Sequence, residues 1–233
     1  MGLLEEEERV ARVYDRKISA KQSAKYTPLS NYNQQVRLEI NQVLGNVIRT
    51  RFLDPYHSGS LSALDFGCGN GNTILTLISL GLSPNNVTGV DVAKQRVLEA
   101  RTNTPNDVEI IQGGRHVLAS INKRFDMAIC SLVLSSLLDR DAREQVCRGL
   151  AEVCKPGGVV VIYDFVMKGS ANPAVRPVSH KEVQAAFPGK RVQCQSVTLA
   201  PPLGRFFESY PKVLAALAMI PLLRTHKLYV VTI

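Results

Sequence analysis

From residue 60 onward, short apolar runs alternate with stretches whose apolar residues recur at helical spacing. Leu61, Ala63 and Leu64 lead into Asp65 as a first strand, and Ile74, Leu75, Leu77 and Ile78 follow as a helix. Strands are predicted next at 86–91, 108–112, 125–130, 159–164, 192–199 and 227–233. The run at 125–130 is apolar enough for burial on both faces. Helices are predicted at 93–101, at about 140–154 with Val146, Leu150, Val153 and Cys154 on one side, and at 179–187 with Ser179 as cap. Lys155-Pro156-Gly157-Gly158 closes the long helix, because Pro cannot continue it and Gly supplies the turn. This alternation predicts an α/β domain over residues 58–233: a mostly parallel, doubly wound, Rossmann-like sheet with helices on both faces.

Residues 1–57 read as an N-terminal helical arm or cap. Val36, Ile40, Val43, Leu44, Val47, Ile48 and Phe52 recur at i, i+4, i+7 and i+8, which predicts an amphipathic helix packed on the sheet edge. Tyr14, Arg16, Lys17, Lys25 and Tyr26 precede it in a polar, mobile stretch.

A chain of 233 residues with 45% hydrophobic and 21% charged residues can bury one full core without staples. There is no run of eighteen apolar residues, and Glu5–Glu8 followed by Arg9 is unlike a secretory signal. The five cysteines form no CxxC pair and read as small buried hydrophobes in a reducing, cytoplasmic compartment. No metal site is expected. The net charge of +8 hints at an acidic partner, but the 28 Lys and Arg are dispersed and are not interleaved with aromatics as in an RNA-stacking platform.

The most informative segment is Leu64-Asp65-Phe66-Gly67-Cys68-Gly69-Asn70-Gly71. A strand ending in an acid, then three glycines, then a helix is a place where backbone approaches a ligand closely. The spacing differs from the wider G-x-G-x-x-G of dinucleotide folds. Asp91 ends the second strand twenty residues after Gly71, where a carboxylate accepts from ribose hydroxyls; capping the helix behind it is its other reading. The loop resembles the D/E-x-G-x-G-x-G hallmark of class I S-adenosylmethionine-dependent methyltransferases, and residues 60–165 extend the resemblance through Phe125-Asp126, Ser131-Leu132-Val133-Leu134 and the Lys155–Gly158 turn. More loosely, Tyr163-Asp164-Phe165, Asn172-Pro173 and the 221–226 tail resemble a bacterial subgroup that modifies small molecules or glycans.

That resemblance implies a seven-stranded sheet with an antiparallel last strand, and S-adenosyl-L-methionine as cofactor. It implies a cofactor site made of Asp65, Gly67, Cys68, Gly69, Asn70, Gly71, Asp91, Val92, Gly113, Gly114 and Ser131, with Tyr14 and Tyr26 of the arm closing over it. Two departures stand out. The family often carries an Asp after the third strand that bonds the adenine amine, and here Gly113-Gly114-Arg115 occupies that place. The fourth strand also lacks the Asn/Asp-Pro-Pro-aromatic signature of enzymes that methylate base or glutamine amino groups.

Residues 201–226 form an insertion between the last two strands. The implied topology puts them over the active-site mouth as a substrate cover rich in Val213, Leu214, Leu217, Ile220, Leu222 and Leu223. Such a cover can simply pack, wall a pocket for an apolar acceptor, touch lipid or form a homodimer face. A short helix with a single Lys favours the first two and argues against stable membrane insertion. His226 and Asp164 are rival candidates for a general base. The expected activity is methyl transfer to a small, partly apolar acceptor, a hydroxyl or amine of a natural product, glycan or lipid-like molecule, with no nucleic-acid partner. The alternatives are an RNA or protein methyltransferase and a non-catalytic cofactor-binding module.

Overall fold

In the computed structural model, residues 2–15, 27, 29–52, 59–167 and 172–233 are described. Helices α1 (Leu3–Tyr14) and α2 (Asn31–Phe52) precede β1 (Ala63–Phe66). The chain then alternates through α3 (Asn72–Ser79), β2 (Val87–Asp91), α4 (Lys94–Asn103), β3 (Glu109–Gln112), α5 (Arg115–Leu118) and β4 (Phe125–Ser131). It continues through α6 (Arg140–Val153), β5 (Cys154–Phe165), α7 (His180–Ala186) and β6 (Arg191–Leu199), then α8 (Pro201–Phe206), α9 (Pro211–Ala218) and β7 (Arg224–Thr232).

The seven strands form one sheet in the order β3-β2-β1-β4-β5-β7-β6. β1 to β5 pair in parallel, and β7 runs antiparallel between β5 and β6. β6 therefore points the same way as β1–β5, and the chain enters α8 and α9 at their carboxyl edge. The strand order reverses between β1 and β4, and in open sheets of this kind ligands bind outside the carboxyl ends at that reversal.

Side chains alternate between two apolar layers, as the pleat requires. Val160, Ile162, Tyr229 and Val231 join the core under α6 and α7, with Val146, Leu150 and Val183. Val159, Val161, Tyr163 and Leu228 join the core under α2 and α3, with Leu44, Val47, Ile48 and Leu77. Local capping agrees with the pattern. Asp139 accepts from Ala142 N to start α6, and Ser179 and Glu182 form a capping box on α7.

The sequence reading does not single out a helix at residues 3–14 within the N-terminal arm. Tyr14 ends that helix rather than standing in a mobile polar stretch, Val10 lies in the core, and Glu6 and Glu7 are buried. The charged run conceals this, because carboxylates hold positions that usually go to apolar side chains. Four of the five cysteines are buried, Cys194 is exposed, and all are free thiols.

Candidate functional site

The glycine loop and the tip of β2 are tied together. Gly67 N and Cys68 N donate to Val90 O (2.7 and 3.0 Å), and Gly69 N donates to Asp91 Oδ2 (2.9 Å). Asp91 Oδ1 accepts from Ala93 N (2.9 Å), so Asp91 also caps α4. A carboxylate offers about four lone-pair sites, which leaves capacity for two further donors such as ribose hydroxyls. Burial pushes the Asp91 pKa up, partly offset by the two backbone N–H groups and Arg96.

The three glycines have different surroundings. A Cβ on Gly67 would collide with Val133 across the crevice, and one on Gly71 would come within 2.7 Å of Thr104 Cγ2. Gly69 has φ +54°, and a Cβ there would meet no atom of the described residues within 4 Å. Gly67 (φ +75°) and Gly71 (φ +87°) are set by packing as well as by left-handed backbone, while Gly69 presents bare backbone to open space.

Asp65 lies beneath the loop, 0% exposed, and neither of its carboxylate oxygens has a hydrogen-bond partner among the described residues. Burial, reinforced by the nearby Asp91 charge, raises its pKa to about 8. An orphaned buried carboxylate is costly, and a cationic ligand group above the loop would complement it. S-adenosylmethionine carries both an ammonium and a sulfonium, so the residues present fit this cofactor.

The far wall of the crevice is the end of β4. Leu132 has φ +58°, a genuine outlier for a bulky residue. It is fixed by Leu132 N donating to Tyr163 O (2.8 Å) and by Ser136 Oγ donating to its carbonyl (3.3 Å). Ser131 is half-buried beside Tyr163, Val92 packs against the α6-side core, and Asn70 O accepts from Asn103 Nδ2 (3.0 Å). Gly113 N donates to Asp91 O (2.9 Å), which joins the β3 loop to the same edge.

α1 is strapped over these loops by residues that sequence reasoning missed. Glu6 Oε2 accepts from Leu138 N (2.7 Å) and Glu7 Oε1 from Arg115 N (2.6 Å). Asp15 Oδ1 accepts from Gln95 N (2.9 Å), and Arg9 donates to Ser136 O. Tyr14 OH lies 3.0 Å from Ser136 Oγ, with Arg96 over its ring. Burial would raise the Glu6 pKa, but Arg9 and the Leu138 N–H outweigh it and hold it below the usual range. The spacing of Leu3, Val10 and Tyr14 was the available signal. Tyr26, Arg16, Lys17 and Lys25 lie outside the described residues.

The two base candidates lie on opposite faces of the sheet. Asp164 is fully buried on the α6 side, accepting from Ser135 N (3.0 Å) and Phe165 N (2.8 Å). Burial raises its pKa, against those bonds and Arg143. His226, two residues inside β7, stacks on Tyr163 (5.2 Å) and meets Phe165 edge-on (5.6 Å) on the α2 side. Burial lowers its pKa to about 4, so the ring is neutral at pH 7. Its Nδ1 lies 3.1 Å from Thr225 Oγ1.

Beside it, Tyr163 OH pairs with Thr198 Oγ1 (2.9 Å), and Thr198, at φ +61°, donates its N–H to Glu39 of α2 (2.7 Å). Helices α8 and α9 flank this corner, with Leu214 and Leu199 packed on Tyr32. The insertion's outer side leaves Phe206 77%, Met219 78% and Leu222 95% exposed. Among the described residues no cluster suited to a metal ion occurs, and no helix is long and apolar enough to cross a membrane.

Comparison with known proteins agrees with this geometry. Residues 63–158 match the family model of a methyltransferase domain. The chain is 27% identical over 113 residues to a protein of Encephalitozoon cuniculi that carries a methyltransferase name (48% of this chain, 49% of that protein). It is 27% identical over 115 residues to the tRNA N(3)-methylcytidine methyltransferase of Schizosaccharomyces pombe (46% of this chain, 38% of that protein). The chain thus spans less than half the length of these curated relatives. In fold it is similar to the magnesium protoporphyrin IX methyltransferase of Synechocystis PCC 6803, whose crystal structure holds bound cofactor, at TM-score 0.63 and 16% identity, covering 97% of this chain and 96% of that one. Residues 63–158 thus match a methyltransferase domain, within a seven-stranded fold similar to that of a methyltransferase crystallised with S-adenosylmethionine.

Proposed function

We propose that the protein transfers a methyl group from S-adenosylmethionine to a small, partly apolar acceptor through a hydroxyl or amine. The observation that carries this reading is the open backbone at Gly69, set between the orphaned Asp65 carboxylate and Asp91. S-adenosylmethionine supplies a methyl already activated by its positive sulfur. In the transfer, the sulfur–methyl bond breaks as the acceptor–methyl bond forms, the acceptor proton leaves, and a neutral thioether remains. Gly69 backbone and Asp91 orient the donor nucleoside, and Asp65 answers its positive charge. α1 with Tyr14 shuts water out, which is most of what such a reaction asks of a protein.

The acceptor pocket is assigned to the corner bounded by Tyr163, Phe165, His226 and the 201–226 insertion. His226 is the residue assigned to take the acceptor's proton, because Nε2 makes no hydrogen bond among the described residues. Asp164 instead braces the 132–136 turn from the opposite face. The apolar insertion supports a partly apolar acceptor, and whole-chain likeness in fold extends this architecture beyond the domain that the RNA-methylating relative shares.

An RNA acceptor is the second reading, favoured by that fission-yeast relative and the net charge of +8. Methyl-labelled S-adenosylmethionine, offered with a panel of hydroxyl and amine metabolites and separately with bulk tRNA, decides between them. Label in organic-extractable product supports the proposal. Label in tRNA alone overturns it.

A further inference from the structure

The Glu7 side chain occupies a place that belongs, by position, to another residue. A Cβ built on Gly114 would collide with all three atoms of the Glu7 carboxylate. The helix α1 therefore delivers a carboxylate to the very spot where a side chain on the β3 loop would begin. Glu7 is nearly enclosed there, at 7% exposure. Its Oε1 is taken by Arg115 N at 2.6 Å. Among the described residues its Oε2 accepts no hydrogen bond, and His116 Nδ1 stands 3.8 Å away, beyond hydrogen-bond reach. The guanidinium of Arg115 points elsewhere, to Glu152 (2.7 Å) and Gln145 O.

The sheet says what lies beside this carboxylate. Asp91 ends β2 and is the ribose acceptor in the proposed function, on which this inference rests. β3 is the next strand outward, and Gly113 N is bonded to Asp91 O. The glycine loop lies on the other side of β2, over β1. A nucleoside whose ribose sits on Asp91 with its sulfur end over the glycine loop has its base directed to the β3 loop, where Glu7 stands. An enclosed carboxylate accepts hydrogen bonds and donates none. It favours a base edge that carries an amine and repels one that carries a carbonyl.

We infer that Glu7, carried in from α1 to fill the space above Gly114, is the specificity residue that reads the purine's 6-amino group. The helix that covers the site is thereby also part of the donor's recognition surface. The strap is tied to the loop by the same residue that reads the ligand.

The test compares two ligands and three proteins by calorimetry. The ligands are S-adenosylhomocysteine and its 6-deamino (purine riboside) analogue, which differ only in a hydrogen replacing the 6-amino group. The wild type is expected to bind the amino form about tenfold to a hundredfold more tightly, the range for a hydrogen bond to a charged group. Glu7→Gln keeps an oxygen for Arg115 N and turns an NH₂ toward the base, so the preference should vanish or reverse. Glu7→Ala combined with Gly114→Asp, at a position with φ −113°, returns a carboxylate from the loop and should restore the preference for the amino form. A purely structural Glu7 would leave the ratio between ligands unchanged in all three proteins, and that result overturns the inference while leaving the cofactor site intact. Failure of the wild type to bind either ligand overturns the inference together with the proposed function.

Discussion

The backbone N–H of Gly69 donates to Asp91 Oδ2 at 2.9 Å, so the glycine loop and the second strand's tip are one rigid unit. Asp91 holds the loop, caps α4 and keeps lone pairs for a ligand. Asp91→Ala should weaken cofactor binding by roughly 1.5–3 kcal/mol, as expected for bonds to a charged group. It should also lower folding stability by about 1 kcal/mol through the lost cap. Asp91→Asn should do less of both. Calorimetry and denaturant melts separate the two effects; a stability loss with unchanged binding would leave Asp91 as a helix cap only.

Gly67 and Gly69 should part company on substitution. Gly67→Ala drives a methyl into Val133 and should cost about 1–3 kcal/mol of stability as an overpacking change. Gly69→Ala meets no atom, so its stability cost is only that of a left-handed residue, about 1–2 kcal/mol. Its methyl nevertheless enters the donor groove, and cofactor binding should be largely lost. Equal loss of binding and stability in both variants would contradict this division.

Asp65 sets a pH dependence. Its folded pKa is raised to about 8, so between pH 4 and 8 the folded state holds a proton that the unfolded state has released. Stability of the ligand-free protein should therefore fall as pH rises through that window. Asp65→Asn should flatten the slope and bind the cofactor more weakly. Cofactor binding should ionise Asp65 and release a proton near pH 7, seen as a dependence of binding heat on the buffer. Zero proton release would show that Asp65 does not answer the cofactor's charge.

His226 has the opposite sign. Its folded pKa is about 4 against 6.5 for a free imidazole, so its contribution to stability is present above pH 6.5 and is lost as pH falls toward 4. His226→Asn should remove that acid limb and lower turnover by about 10²–10⁴-fold on a hydroxyl acceptor, with cofactor affinity unchanged. Asp164→Asn should instead loosen the 132–136 turn and weaken the cofactor. Normal turnover in the His226 variant would mean that positioning alone carries the reaction.

The sheet was legible because its strands are apolar, evenly spaced and separated by turn residues, and because Gly67–Gly71 and Asp91 sit at strand tips. Ser179 caps its helix as its chemistry dictates, whereas Lys155–Gly158, read as a turn before the fifth strand, lies inside β5 as an irregularity where the pairing with β4 shifts register. Helix α1 was not legible: Glu6 and Glu7 hold inward-facing positions, and their partners are backbone N–H groups more than a hundred residues away. The positive φ of Leu132 and Thr198 left no trace, since neither residue type favours that conformation. The opposite placement of Asp164 and His226 follows from strand alternation, but only once the register of β5 on β7 is known.

Calorimetric titration with S-adenosylhomocysteine tests the donor site at Gly69 most directly. Wild-type protein should bind one equivalent with micromolar affinity, about 8 kcal/mol, and Gly69→Val should show no binding while remaining folded. Wild-type protein that fails to bind, or a Gly69→Val variant that binds as the wild type does, would contradict it.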